Sequence, residues 1–199
     1  DQVLYEAGAR PGHVVFPTTA IASLRYTMAS GASAEMGIIG CDGMIGMGLF
    51  LGGGSMPHRA VVRSPGHALR LRAGPFRAEL RRAGALQRAL LLYAQALLTQ
   101  LTMTAACNRL HSLEQQLCRW LLLSHDRLRT KELLMTQEAI AQLLGVRREG
   151  VSVAAHRLQE AGLIHYSRGR IVFLDRAGLE AAACECYAVI RTECERLQL

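Results

Sequence analysis

The sequence predicts an α+β chain: an antiparallel, β-rich N-terminal part, one long helix, and a helical C-terminal part carrying a hairpin. Three observations predict it. Short β-type runs separated by turn residues fill residues 1 to about 74. From Pro75 onward apolar residues recur at helical spacing. Two short helical segments flanking Gly145 are followed by two β-prone runs.

A chain of 199 residues can bury two small cores. Half of its residues are hydrophobic and 20% are charged, a globular and not a disordered composition. The formal net charge of +7 favours a polyanionic partner without saying which. No run reaches the roughly 18 uninterrupted apolar residues of a transmembrane helix, and no leader pattern opens the chain. A start at Asp1 is read as a missing N-terminal segment. Cysteines at 41, 107, 118, 184, 186 and 194 are too unevenly spaced for a disulfide framework, so reduced thiols in a cytoplasmic setting are expected.

The β-type runs are Val14–Phe16, Ala22–Met28, Met36–Ile39, Ala60–Arg63 and Ala68–Leu71. Arg10-Pro11-Gly12, Ser30-Gly31, Gly52-Gly53-Gly54 and Ser64-Pro65-Gly66 separate them, and turns this frequent suit an antiparallel sandwich or barrel. A short helix is expected over Phe76–Arg82. From about Gly84 to Asn108, Leu86, Leu90, Tyr93 and Leu97 step by 4, 3 and 4, with Leu101 continuing the stripe. That narrow seam suits a two-stranded coiled coil and a homodimer. Packing of the same helix on its own domain is the alternative, which Leu91, Leu92 and Leu98 keep open by widening the apolar face.

Beyond Ser112 the reading is helix, helix, tight turn, helix, hairpin, helix. Thr136 can cap the first helix of the tight pair, and Gly162 sits where a left-handed cap is wanted. Leu163–Tyr166 and Arg170–Leu174 flank Ser167-Arg168-Gly169 as a hairpin. Asp175 caps a final helix carrying Leu179, Cys186, Val189 and Ile190.

Two helices crossing steeply need a small residue at the crossing, a positive φ in the turn and a shared core. Ala141, Gly145 and the set Ile140, Leu144, Val146, Val151 and Ala154 meet those demands. Arg147, Arg148, Glu149, Ser152, Val153 and His156 are left on the outside, on a helix shaped for the major groove of double-stranded DNA. Arginine can grip guanine O6 and N7, and a glutamate can accept from cytosine N4. Arg148, Glu149, Ser152 and Val153 are therefore the candidate base readers. Thr136, Gln137, Arg147, His156, Arg168 and Arg170 are the candidate backbone contacts.

The run Thr136–Ser152, with Leu158–Ile164 after it, resembles the winged helix of the Crp/Fnr family of bacterial transcription regulators, and the likeness extends over nearly the whole chain. The resemblance implies a cyclic-nucleotide-binding-like β-roll at 1–82, a dimerisation helix at 83–110 and a winged helix-turn-helix at 111–199. It also implies a homodimer on an inverted-repeat operator, with RNA polymerase as a partner if the protein activates. At Val153 many members carry a second arginine, so the preferred half-site should differ.

Cyclic-nucleotide-binding relatives place a glutamate after a glycine for the ribose, and an arginine–hydroxyl step for the phosphate. Here Met44 follows Gly43, and His58-Arg59-Ala60 lacks the hydroxyl. Cyclic AMP is therefore not expected as effector. Met44, Leu49, His58 and Arg59 are the candidate pocket for another small molecule, or part of a filled core. Four converging thiolates are not evident, Cys184-x-Cys186 is read as too tight for a chelate, and those residues with Cys194 are read as apolar filler on the last helix. No cofactor, metal or catalytic residue is assigned, and no membrane partner. An effector-independent or redox- or metal-responsive regulator is the alternative, ahead of a cupin-like metal enzyme or a pure interaction module.

Overall fold

The computed structural model describes residues 2–128 and 132–197. Its N-terminal part has six strands: β1 (Val3–Tyr5), β2 (His13–Pro17), β3 (Ile21–Thr27), β4 (Ser33–Ile39), β5 (Arg59–Ser64) and β6 (Ala68–Arg72). They form an antiparallel sheet in the order β1-β5-β3-β4 and a β2-β6 ribbon. All five expected β-type runs coincide with strands, except that Met28 lies just past the end of β3. β1 was not legible: three residues with an irregular register against β5 carry no period. Between β4 and β5, α1 (Met47–Phe50) makes a single turn where the sequence suggested only an apolar wall. Met44, Met47 and Leu49 fill a core with Val14, Phe76, Leu90 and Tyr93.

α2 (Ala73–Leu80) leads into α3 (Ala85–Leu110). By length and composition alone α3 could cross a bilayer, although Gln95, Thr99 and Gln100 interrupt its apolar run. Its Leu90, Tyr93, Ala96 and Gln100 side is buried instead. The glycines of the roll explain how closely it packs. A Cβ on Gly43 would stand 2.6 Å from the Tyr93 ring, and one on Gly37 would stand 2.6 Å from Gln100 Nε2. Tyr93 Oη donates to Met44 O at 3.1 Å, and Gln100 Nε2 donates to Ile38 O at 3.0 Å.

The stripe read as a dimer seam is therefore turned inward. Leu90 and Tyr93 are buried against the roll, with Leu86 and Leu97 packed on the same cluster and Leu101 half-buried. The physical reason is that periodicity marks a covered face without saying what covers it. The outward face carries Leu91, 57% exposed, and Leu98, 65% exposed.

The C-terminal part comprises α4 (Leu113–Arg127), β7 (Glu132–Leu134), α5 (Gln137–Leu144), α6 (Arg148–Glu160), β8 (Ile164–Ser167), β9 (Arg170–Phe173), α7 (Arg176–Ala182) and α8 (Glu185–Leu197). A capping box starts α4: Ser112 Oγ accepts from Gln115 N–H, and Gln115 Oε1 accepts from Ser112 N–H. β7, too short to predict, joins the hairpin in the order β7-β9-β8. Asp175 does cap a helix, accepting from Gly178 N–H at 2.9 Å, but that helix is α7 and it stops at Ala182. The expected single final helix is two, because Ala183 is extended (ψ 159°) and swings α8 back along α3. Cys184 thus lies in the break and not on the last helix.

Roll and C-terminal part share a core, since Ile21 and Ile38 join the cluster built around Leu117, Leu121, Ile140 and Val151. Polar contacts reinforce that junction. Arg127 reaches Asp42 at 2.6 Å and Gln100 Oε1 at 2.8 Å, and it donates to its own helix at Leu123 O. A Cβ on Gly40 would stand 2.6 Å from Arg127 Cβ, so the arginine lies flat against bare backbone. Trp120 Nε1 donates to Glu35 Oε1 at 3.0 Å, and burial pushes the Glu35 carboxyl up to about 7 against the pull of Trp120 and Arg63.

Candidate nucleic-acid interface

The tight helix pair forms as its local chemistry dictates. Thr136 Oγ1 accepts from Ala139 N–H at 3.2 Å and starts α5. Gly145 ends it at φ 68°, and Val146 N–H returns to Ala141 O at 3.0 Å. Ala141, 3% exposed, leaves room for the crossing of α6, while Ile140, Leu144, Val151 and Ala154 are buried beneath it. One further close approach sets the angle: a Cβ on Gly150 would stand 2.8 Å from Leu113 of α4.

This arrangement turns one side of α6 outward. Arg147, Arg148, Glu149, Ser152, Val153 and His156 are all exposed. Among the described residues, Arg147, Arg148, Glu149 and Arg168 make no ion pair. His156 Nε2 lies 3.3 Å from Glu160, and Arg157 lies 3.5 Å from Glu114, so the basic groups farther along the helix are partly engaged. Free charge is thus concentrated at the N-terminal end of α6, where a helix in the major groove meets base edges.

The hairpin is anchored to that helix. Gln159 Oε1 accepts from Tyr166 N–H at 2.8 Å, and Tyr166 Oη donates to Met135 O at 2.7 Å. Burial raises the Tyr166 phenol to about 12, which keeps it a donor despite the nearby charge of Arg148. Arg168 (φ 50°) and Gly169 (φ 76°) form the two-residue turn between Ser167 and Arg170. An arginine in the left-handed region costs about 1 kcal/mol, and here that position sets an exposed cation at the tip.

Three expected backbone contacts are differently placed. Arg170 Nη1 lies 3.1 Å from Glu132 of β7, because the unpredicted strand brings a carboxylate beside it. The Thr136 hydroxyl is engaged as a cap, and Gln137 beside it is half-buried. Gln159, Gly150 and the Glu114–Arg157 pair escaped the sequence reading: Gly150 and Arg157 meet partners on α4, far along the chain, and Gln159 acts across the turn from α6 into β8.

The candidate effector residues separate into two sets. Met44 and His58 line a cavity of about 140 Å³ between the roll and α3, with Leu24, Met47, Leu97 and Leu101. Leu49, packed in the same core as Met44 and Met47, does not line the cavity, and Arg59 lies opposite Arg25 on the neighbouring strand. His58, in the bend before β5, lines that cavity and Arg59, the first residue of the strand, does not. Burial lowers the pKa of His58, so the wall of the cavity is apolar and uncharged at neutral pH.

Comparison with known proteins agrees with this geometry. Residues 115–182 match the Crp-like helix-turn-helix domain. A CRP-family transcriptional regulator of Thermus thermophilus superposes with a TM-score of 0.71 at 19% identity, covering 92% of this chain and 93% of that one. FixK2 of Bradyrhizobium japonicum superposes at 0.78 and 16% identity, with coverages of 92% and 93%. CLP of Xanthomonas campestris, described as a c-di-GMP responsive global regulator, gives 0.62 and 16% identity, covering 87% and 90%. The curated proteins give no match by sequence.

Proposed function

We propose that, through residues 115–182 set in the fold of the Crp/Fnr transcription regulators, the chain is a DNA-binding regulator of that type and reads an inverted-repeat operator as a homodimer. One observation carries the reading: the exposed, unpaired Arg148 and Glu149 at the start of an α6 whose other side is fully buried. Arg148 reads a guanine and Glu149 a cytosine amino group, with Ser152 beside them. Val153, 53% exposed, offers an apolar contact to a thymine methyl. Arg147 and Arg168 take phosphates, and Arg170 joins them if its pair with Glu132 opens. A cytoplasmic location follows from that role.

The outward face of α3 is the dimer surface. Leu91, Gln95, Leu98, Thr102 and Ala105 step by 4, 3, 4 and 3, a heptad spacing on the side the roll does not cover. Two half-sites then lie about 10 base pairs apart, or a multiple of that.

The effector is not cyclic AMP. The cavity has an uncharged lining and no arginine at its wall, while a cyclic nucleotide needs an anion partner. Selection of bound sites from a random duplex pool tests the function: an inverted repeat should emerge, and affinity no better than for random DNA refutes the reading. Titration calorimetry with cyclic AMP and cyclic GMP tests the effector statement, which a low-micromolar dissociation constant for either would overturn.

A further inference from the structure

The fold brings together four metal-ligating side chains that are scattered along the sequence. Cys107 and His111 stand one turn apart at the end of α3, and Cys184 and Cys186 flank Glu185 at the break between α7 and α8. Their ligand atoms all lie within 4.8 Å of one another. Cys107 Sγ is 3.5 Å from Cys184 Sγ, and Cys186 Sγ is 3.6 Å from His111 Nδ1. Tetrahedral zinc, with Zn–S near 2.3 Å and Zn–N near 2.05 Å, requires about 3.8 Å between sulfurs and about 3.6 Å between sulfur and nitrogen. We propose that Cys107, His111, Cys184 and Cys186 form a tetrahedral zinc site that cross-braces the end of α3 to the start of α8.

The surroundings favour a metal over a packed cluster of thiols. His111 Nε2 lies 3.3 Å from Glu185 Oε2, so a carboxylate holds the ring with Nδ1 facing the thiols, an arrangement common around zinc-bound histidine. Arg119, 3% exposed, donates to Thr104 and leaves Nε without a hydrogen-bond partner. Three thiolates, a neutral imidazole and Zn²⁺ sum to a charge of −1, which a neighbouring guanidinium balances. The three sulfurs are buried, at 0%, 5% and 3% exposure, while His111 reaches the surface and gives the ion a way in.

Loading displaces a proton from each thiol: Zn²⁺ and three Cys–SH give the thiolate complex and three H⁺. Because each thiol must give up its proton, affinity falls as the pH is lowered. The tight Cys184-x-Cys186 spacing is no obstacle, because Cys184 lies in the extended break while Cys186 is already helical. Bound metal would fix α8 on α3 beside the bend at His111, from which α4 leaves (His111 ψ 157°).

The experiment is cobalt substitution in the full chain, reduced and freed of metal. One Co²⁺ per chain should give intense tetrahedral visible bands with thiolate-to-cobalt charge transfer, and one equivalent of Zn²⁺ should bleach both. Cys184→Ser should lose about a third of the charge transfer, while Cys41→Ser, at a remote exposed thiol, should leave the spectrum unchanged. Weak octahedral bands in the wild-type protein would overturn the proposal, whatever the variants' folding. So would a Cys107–Cys184 disulfide in non-reducing peptide maps together with zinc content equal to that of Cys184→Ser. Neither readout involves DNA, so the outcome is independent of the operator reading.

Discussion

The outer face of α6 and the junction of roll, α3 and α4 both use arginine and a carboxylate, in opposite ways. On α6, Arg148 and Glu149 stand in water with no ion-pair partner among the described residues. At the junction, Arg127 is held by Asp42, Gln100 and Leu123 O, with Gly40 beneath it. Exposed charge without a partner is cheap to keep and available for another molecule. Buried charge must be matched on every side, and then it fixes geometry. The difference teaches where function and positioning are separated in this chain: α6 supplies contacts, and the junction decides where α6 points.

The sharpest way to break the contrast is to remove Arg127. Arg127→Ala should cost about 3–5 kcal/mol, because Asp42 and Gln100 stay behind without their partner. Urea unfolding measures it, and a loss below about 1 kcal/mol would place the junction with ordinary surface pairs.

A second effect, on the order of 3 kcal/mol, comes from Glu35. Its folded pKa of about 7 stands above its ordinary 4.5. The neutral acid therefore contributes stability that is fully present below pH 4.5 and lost as the pH rises through 7. The chain has one tryptophan, and Trp120 donates to this carboxylate. Its emission should titrate near pH 7 in the wild-type protein and stay flat over that range in Glu35→Gln.

On α6, Arg148→Ala should cost about 1–3 kcal/mol of operator affinity and relax the choice at one base pair per half-site. Chain stability should move by less than about 0.5 kcal/mol. Binding that weakens equally on all sequences would make Arg148 a phosphate contact instead.

The two faces of α3 give the finest comparison. Leu98→Asp should leave the circular dichroism spectrum and melting curve of the isolated subunit nearly unchanged while light scattering reports monomer. Leu90→Asp should unfold the roll. If Leu98→Asp leaves the dimer intact, the outward face is not the seam.

What could be read from sequence follows the same division. The helix pair around Gly145 was legible because its demands are local: a cap, a small residue at the crossing, a positive φ and apolar offsets all lie within Thr136–Ala154. The turn at Arg168–Gly169 was legible for the same reason. The face of α3 was not, because period reports burial but not the partner, and the Met44 carbonyl that Tyr93 meets lies 49 residues upstream of it. Glu35 and Trp120 are 85 residues apart, as are Asp42 and Arg127, and nothing near any of them announces the pairing. The break at Ala183 was hidden too, since neither proline nor glycine marks it, and with it the approach of Cys184 to Cys107.

The bare backbone at Gly40 has a consequence for how such a chain can change over generations. Any side chain at 40 occupies the space of the Arg127 stem, so an alanine there is tolerated only where residue 127 has become small, and a small residue at 127 strands Asp42. The three positions form one heritable unit. Among relatives they should be exchanged together or kept together, and a relative carrying Ala at 40 should lack both the arginine and its acid.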